Sequence, residues 1–166
     1  MGDGSVFNER KAAQMAAFFL GQTHEKRMPH LKLMKLLYLA EREAMRAFGW
    51  PMTGDRLVSM PHGPVLSLTL NLMDGDTESQ PGGWDAWISD KENHELSLRQ
   101  PQDALDLDEL APAELDVLKS VWGKFGGMGK WEIRDWTHKN CAEWKDPNGS
   151  SYPIAYDALA RAVGFD

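Results

Sequence analysis

Cysteine is nearly absent from this chain. Cys141 stands alone among 166 residues, which excludes an internal disulfide and suits a reducing compartment. Long apolar runs are missing too, and nothing approaches the roughly 20 residues that a membrane-crossing helix needs. The first residues, Met1-Gly2-Asp3-Gly4-Ser5, lack the basic and apolar regions of a signal peptide, so the cytoplasm is the expected location. Positive charge is in deficit, with 18 Lys and Arg against 25 Asp and Glu and a net charge of −7. Nucleic-acid binders usually concentrate positive charge, because phosphate neutralisation supplies much of their affinity; nucleic acid is therefore a poor candidate partner. Repeats and low-complexity tracts are absent.

Other absences bear on chemistry. A structural zinc site wants four closely spaced ligands, and one cysteine with scattered histidines (His24, His30, His138) does not supply them. Gly126-Gly127-Met128-Gly129 lacks the preceding strand of a phosphate-binding loop and reads as a helix stop. His62 has no nucleophile or paired acid nearby in sequence, and Cys141, three residues from His138, reads as an inert lone thiol. Asp106, Asp108 and Glu109 belong to an acidic connector between Gln100 and Ala111. The sequence thus offers no catalytic set, no cofactor site and no metal site.

What is present is core material. Hydrophobic residues make up 42%, and seven tryptophans are many for this length, so most of the chain can bury a core. Asn8 can cap a first helix carrying Ala12, Met15, Ala16 and Phe19 at helical spacing. A second helix starts near Pro29-His30 and ends at Gly49 and Pro51, with Leu33, Leu37, Ala40, Ala44 and Phe48 on one face. Lys32, Lys35, Arg42 and Arg46 align on the other, where a solvated face pairing with Glu41 or Glu43 is the simplest account. Arg56 to Met60 reads as a short strand. Pro64 reads as the first residue of a third helix through Val65, Leu68 and Leu72, stopped by Gly75.

Further on, Trp84–Ser89 and Glu95–Arg99 read as a hairpin joined through Asp90-Lys91-Glu92-Asn93, and Trp84 and Trp87 are expected to be exposed there. Pro112 opens a helix with Leu115, Leu118, Trp122 and Phe125. Lys130–Lys139 and Pro153–Val163 read as two more helices. The expected fold is mainly α with a small antiparallel sheet (α+β), a single-domain helical bundle around a central hairpin. Residues 1–7 are expected to form a flexible N-terminus and 8–166 the domain.

Three pieces carry a family resemblance: Lys32-Leu33-Met34-Lys35-Leu36-Leu37-Tyr38, then Gly49 and Pro51, then His62-Gly63-Pro64-Val65. Val121 to Gly126, and Thr137-His138 with Trp144 beyond, follow in order. This set resembles the Panacea domain family, the SocA-like antitoxins of bacterial and phage toxin–antitoxin pairs. The chain departs from the family pattern at Met60, where an aromatic often stands, and at Glu143, where a proline usually precedes the tryptophan. The resemblance implies a non-enzymatic antitoxin whose partner is a cognate protein toxin, and SocA-like members can also present their toxin to a protease. A DNA-binding autoregulator of its own operon, using the Lys32, Lys35, Arg42 and Arg46 stripe, is the alternative. The residues expected at a partner surface are Lys32, Lys35, Tyr38, Arg42, His62, Trp84, Trp87 and His138, with Gly63 and Pro64 forming a structural turn.

Overall fold

The computed structural model describes residues 7–100 and 105–165. In chain order the elements are α1 (Glu9–Gly21), β1 (Arg27–Pro29), α2 (His30–Phe48), β2 (Leu57–Met60), β3 (Gly63–Leu66), α3 (Ser67–Asp74), α4 (Trp84–Trp87), β4 (Glu95–Ser97), α5 (Pro112–Phe125), α6 (Lys130–Asn140), β5 (Tyr152–Ile154) and α7 (Tyr156–Ala162). The fold is mainly helical with small antiparallel sheets, as the sequence pattern implies. Residues 1–6 of the expected N-terminal segment lie outside the described residues, and Phe7 packs partly buried against the core.

α2 is the axis of the molecule. Every residue from Leu33 to Glu41 is buried, and α1, α5, α6, α7, β1 and β3 all pack against it. A helix buried on all sides must place its few polar groups against partners, and this decides where the site lies. The helix ends at Gly49, whose φ of +83° is a left-handed C-cap. α1 is also largely buried, continuously from Ala12 to Gly21, and starts as its sequence suggests, with the Asn8 side chain accepting from the Lys11 amide at 2.9 Å.

Strands β3, β2 and β5 form one sheet in that order, and β1 pairs with β4 in a second. Two proline readings need correction here. Pro64 lies inside β3 opposite Ser59, and Pro153 lies inside β5 opposite Val58; neither opens a helix. Both strands are sheet edges, where a residue without an N–H is tolerated. α3 begins only at Ser67, where Asp55 accepts from the Leu68 amide (2.8 Å) and the Thr69 amide (2.9 Å) and caps it from outside the helix.

The hairpin expected over Trp84–Arg99 forms only in part. Ile88 bridges Leu98, but Trp84–Trp87 is a helical turn and β4 takes β1 as its partner. The cause is a long-range contact. Glu9, buried in α1, accepts from the Trp84 amide (2.7 Å), the Gln80 amide (3.1 Å) and Ser79 Oγ (2.8 Å), drawing that segment onto α1. Trp84 and Trp87 are consequently buried, contrary to the exposure expected of them.

Candidate functional site

Several of the residues that carry the family resemblance, far apart in sequence, meet on one side of α2. Lys35 is fully buried and donates Nζ to the Pro64 carbonyl at 2.9 Å. This contact needs the glycine before Pro64. Gly63 has φ +111°, and a Cβ there would fall 2.9 Å from both Lys35 Cε and Thr137 Oγ1. The turn is therefore shaped by what packs against it: α2 on one side, α6 on the other. An ammonium has three donors, and Lys35 finds one acceptor among the described residues. Burial pushes its pKa down to about 7, so the neutral amine competes with the ammonium at neutral pH.

One turn further along α2, Tyr38 donates its hydroxyl to Glu143 Oε2 at 2.7 Å. Arg42 adds Nε to the same oxygen at 2.9 Å and Nη2 to Oε1 at 3.2 Å. The Glu143 side chain is fully buried, so this bidentate clamp fastens the segment after α6 onto α2. Burial, followed by the charge of Glu143, raises the Tyr38 hydroxyl pKa well above its usual value. Glu143 stands where the family pattern usually has proline, and nothing in its local sequence marks it as the hub of a buried network.

The third part involves the segment after α6 and the β2–β3 turn. Trp144 donates its indole N–H to the Met60 carbonyl at 2.8 Å, and the His138 ring stacks on Trp144 with centroids 4.2 Å apart. Burial, then the charge of Arg134, lowers the His138 pKa. Cys141 lies between these groups, 2% exposed, its thiol pushed up to about 12 chiefly by burial. A thiol so placed is protonated at neutral pH and is a poor nucleophile. Neither Lys35 nor Cys141 is open to solvent, and among the described residues no group of three or more His, Cys, Asp or Glu is placed to hold a metal ion. The cluster ties α2, the β2–β3 turn and the segment after α6 together.

A family model described as antitoxin SocA-like, Panacea domain, matches residues 33–145, about two thirds of the chain. The chain belongs to that family. No curated protein and no solved structure matches it.

Within this Panacea domain the expected site residues divide into three groups. Lys35, Tyr38, Arg42 and His138 converge with Gly63 and Pro64 in the cluster just described. Lys32, Trp84 and Trp87 lie elsewhere. Lys32 donates to the Gly126 carbonyl at 2.7 Å with its Nζ 5.4 Å over the Trp122 ring, and the two tryptophans pack by α1. His62 is exposed at the tip of the β2–β3 turn, its ring 6.1 Å from that of Trp131. The solvated cationic stripe expected on α2 holds at Arg46, which is exposed and paired with Glu43, but not at Lys35, which is interior, or at Arg42, which is clamped by Glu143. Glu41, expected as a surface partner, is instead buried, accepting from the Met52 and Thr53 amides and from Thr53 Oγ1, and burial raises its pKa to about 7. No helix among the described residues is long and apolar enough to cross a membrane.

Proposed function

We propose that this chain is an antitoxin that neutralises a cognate protein toxin in the cytoplasm by direct contact, without enzymatic chemistry. The observation that carries the reading is the family match over residues 33–145. The character of the shared residues supports it. Lys35 and Tyr38 spend their polar groups on partners inside the molecule, and Lys35, Tyr38 and Cys141 are closed to solvent. A protein built this way works by presenting a rigid surface, with a few anchors supplying most of the affinity. Delivery of the captured toxin to a protease is a further step that this mode of action permits.

Regulation of its own operon through DNA draws little support. Each of the four cations considered for it is engaged within the protein, and the net charge is −7.

The test is co-expression with the product of the adjacent open reading frame. Growth rescue by this chain, together with co-purification of the two proteins, is expected. Toxicity undiminished, with no complex recovered, would count against the assignment.

A further inference from the structure

The turn that displays His62 also forms one wall of a surface groove of about 260 Å³. Its lining comes from four parts of the chain: His30 and Leu31 at the start of α2, His62 on the β2–β3 turn, His94 beside β4, and Lys130 with Trp131 at the start of α6. In a chain with 25 acidic residues against 18 basic ones, no carboxylate lines this groove. Its polar side chains are three imidazoles and one ammonium. Lys130 forms no ion pair among the described residues, and both helices that begin here add positive backbone ends of the same sign.

The groove is built rather than incidental. The His30 amide (2.8 Å) and His30 Nδ1 (2.9 Å) both bond the His94 carbonyl. A carbonyl only accepts, so Nδ1 carries the hydrogen and the ring is held with Nε2 free. Trp131 is 50% exposed, a large apolar ring left in water, with Lys130 Nζ 5.2 Å and Arg134 Cζ 4.7 Å from its centroid. An exposed tryptophan held between cations and backed by a partly buried leucine is the composition of a binding hot spot.

We infer that this groove is the docking surface for a short acidic peptide segment of a partner protein, one that places an apolar or aromatic side chain against Trp131 and a carboxylate on Lys130. The inference rests on the neutralisation reading, since it supplies the anchor by which a toxin would be held. The sign of the lining selects the occupant. A basic segment would meet like charge, and a nucleic acid would need a longer stripe of cations than the single unpaired lysine here.

The experiment follows the Trp131 indole N–H resonance of the full chain by NMR, identified by its loss in Trp131→Phe. The probe is a pentapeptide with two glutamates on each side of a central phenylalanine. The resonance should shift and saturate with this peptide, affinity should fall at least tenfold in Lys130→Glu, and the same peptide with lysines for glutamates should leave it unmoved. Absence of a shift, an equal response to the lysine peptide, or a response to a thymidine pentanucleotide in place of the acidic peptide would overturn the inference. Growth rescue separates this from the parent reading. Peptide binding without rescue by the wild-type chain would sink only the antitoxin assignment. Rescue that persists in Lys130→Glu and Trp131→Ala, with no peptide bound, would sink only the groove.

Discussion

At Lys35 two effects of opposite sign meet. Taking an ammonium out of water costs several kcal/mol, and one hydrogen bond to the Pro64 carbonyl offsets part of that. With the folded pKa near 7 and the unfolded one near 10.5, the unfolded chain binds more protons between those values. Stability therefore rises with pH from about 7 on account of this residue. Below pH 7 the lysine is protonated in both states and its contribution is flat. Cys141 opposes it above about pH 9, where the unfolded thiol ionises and the folded one, near 12, does not. Glu41 acts lower. Its folded pKa near 7 exceeds the ordinary 4.5, so its stabilising contribution, complete below 4.5, is lost as pH rises through 7. Urea midpoints measured from pH 7 to 9 should climb in the wild type and lose that climb in Lys35→Met. A wild-type-to-variant difference that stays constant with pH would contradict the account. At the neighbouring Gly63, Ala would combine a disfavoured φ with a Cβ pressed against Lys35 and Thr137. Gly63→Ala should cost about 2–4 kcal/mol, read as a drop in urea midpoint.

Between elements, the Glu143 clamp is the clearest joint. It holds the segment after α6 to α2 through Tyr38 and Arg42, and its removal leaves a partly buried guanidinium without its partner. Glu143→Ala should destabilise by about 3 kcal/mol. Hydrogen exchange should quicken first in residues 141–145, and uniform quickening across the molecule would argue that no such joint exists. Elements with strong helical periodicity, α1, α2, α5 and α6, were legible in the sequence close to their observed limits. Pro64 and Pro153 were misleading because a proline suits a helix start and an edge strand alike, and only the pairing partner decides between them. The α4 turn was hidden for a related reason. Glu9 captures it from 75 positions away, and no local pattern around Trp84 reports that contact.

Over the whole molecule, the family pattern and the physical cluster coincide. Lys35, Tyr38, His62-Gly63-Pro64 and Thr137-His138 were visible as a spaced motif, and folding gathers most of them into one joint around α2. The burial of Lys35 and the enclosure of Arg42 were not visible. Lys35 and Arg42 sit at spacings that an ordinary solvated helix face would also show, and only the wrapping of α2 by six elements distinguishes the two cases. The Trp131 groove was missed because its walls come from four separate segments, none unusual by itself. Neutralisation by occlusion, as proposed, has a consequence for stoichiometry. Occlusion consumes one antitoxin for each toxin held, whereas an enzyme would disarm many. Titrating purified chain against a fixed amount of active toxin measures this directly. Residual toxin activity is expected to fall linearly to zero near one equivalent, and the toxin to be recovered chemically unchanged when the complex is dissociated. Complete inactivation by a small fraction of an equivalent, or a toxin of altered mass, would contradict occlusion.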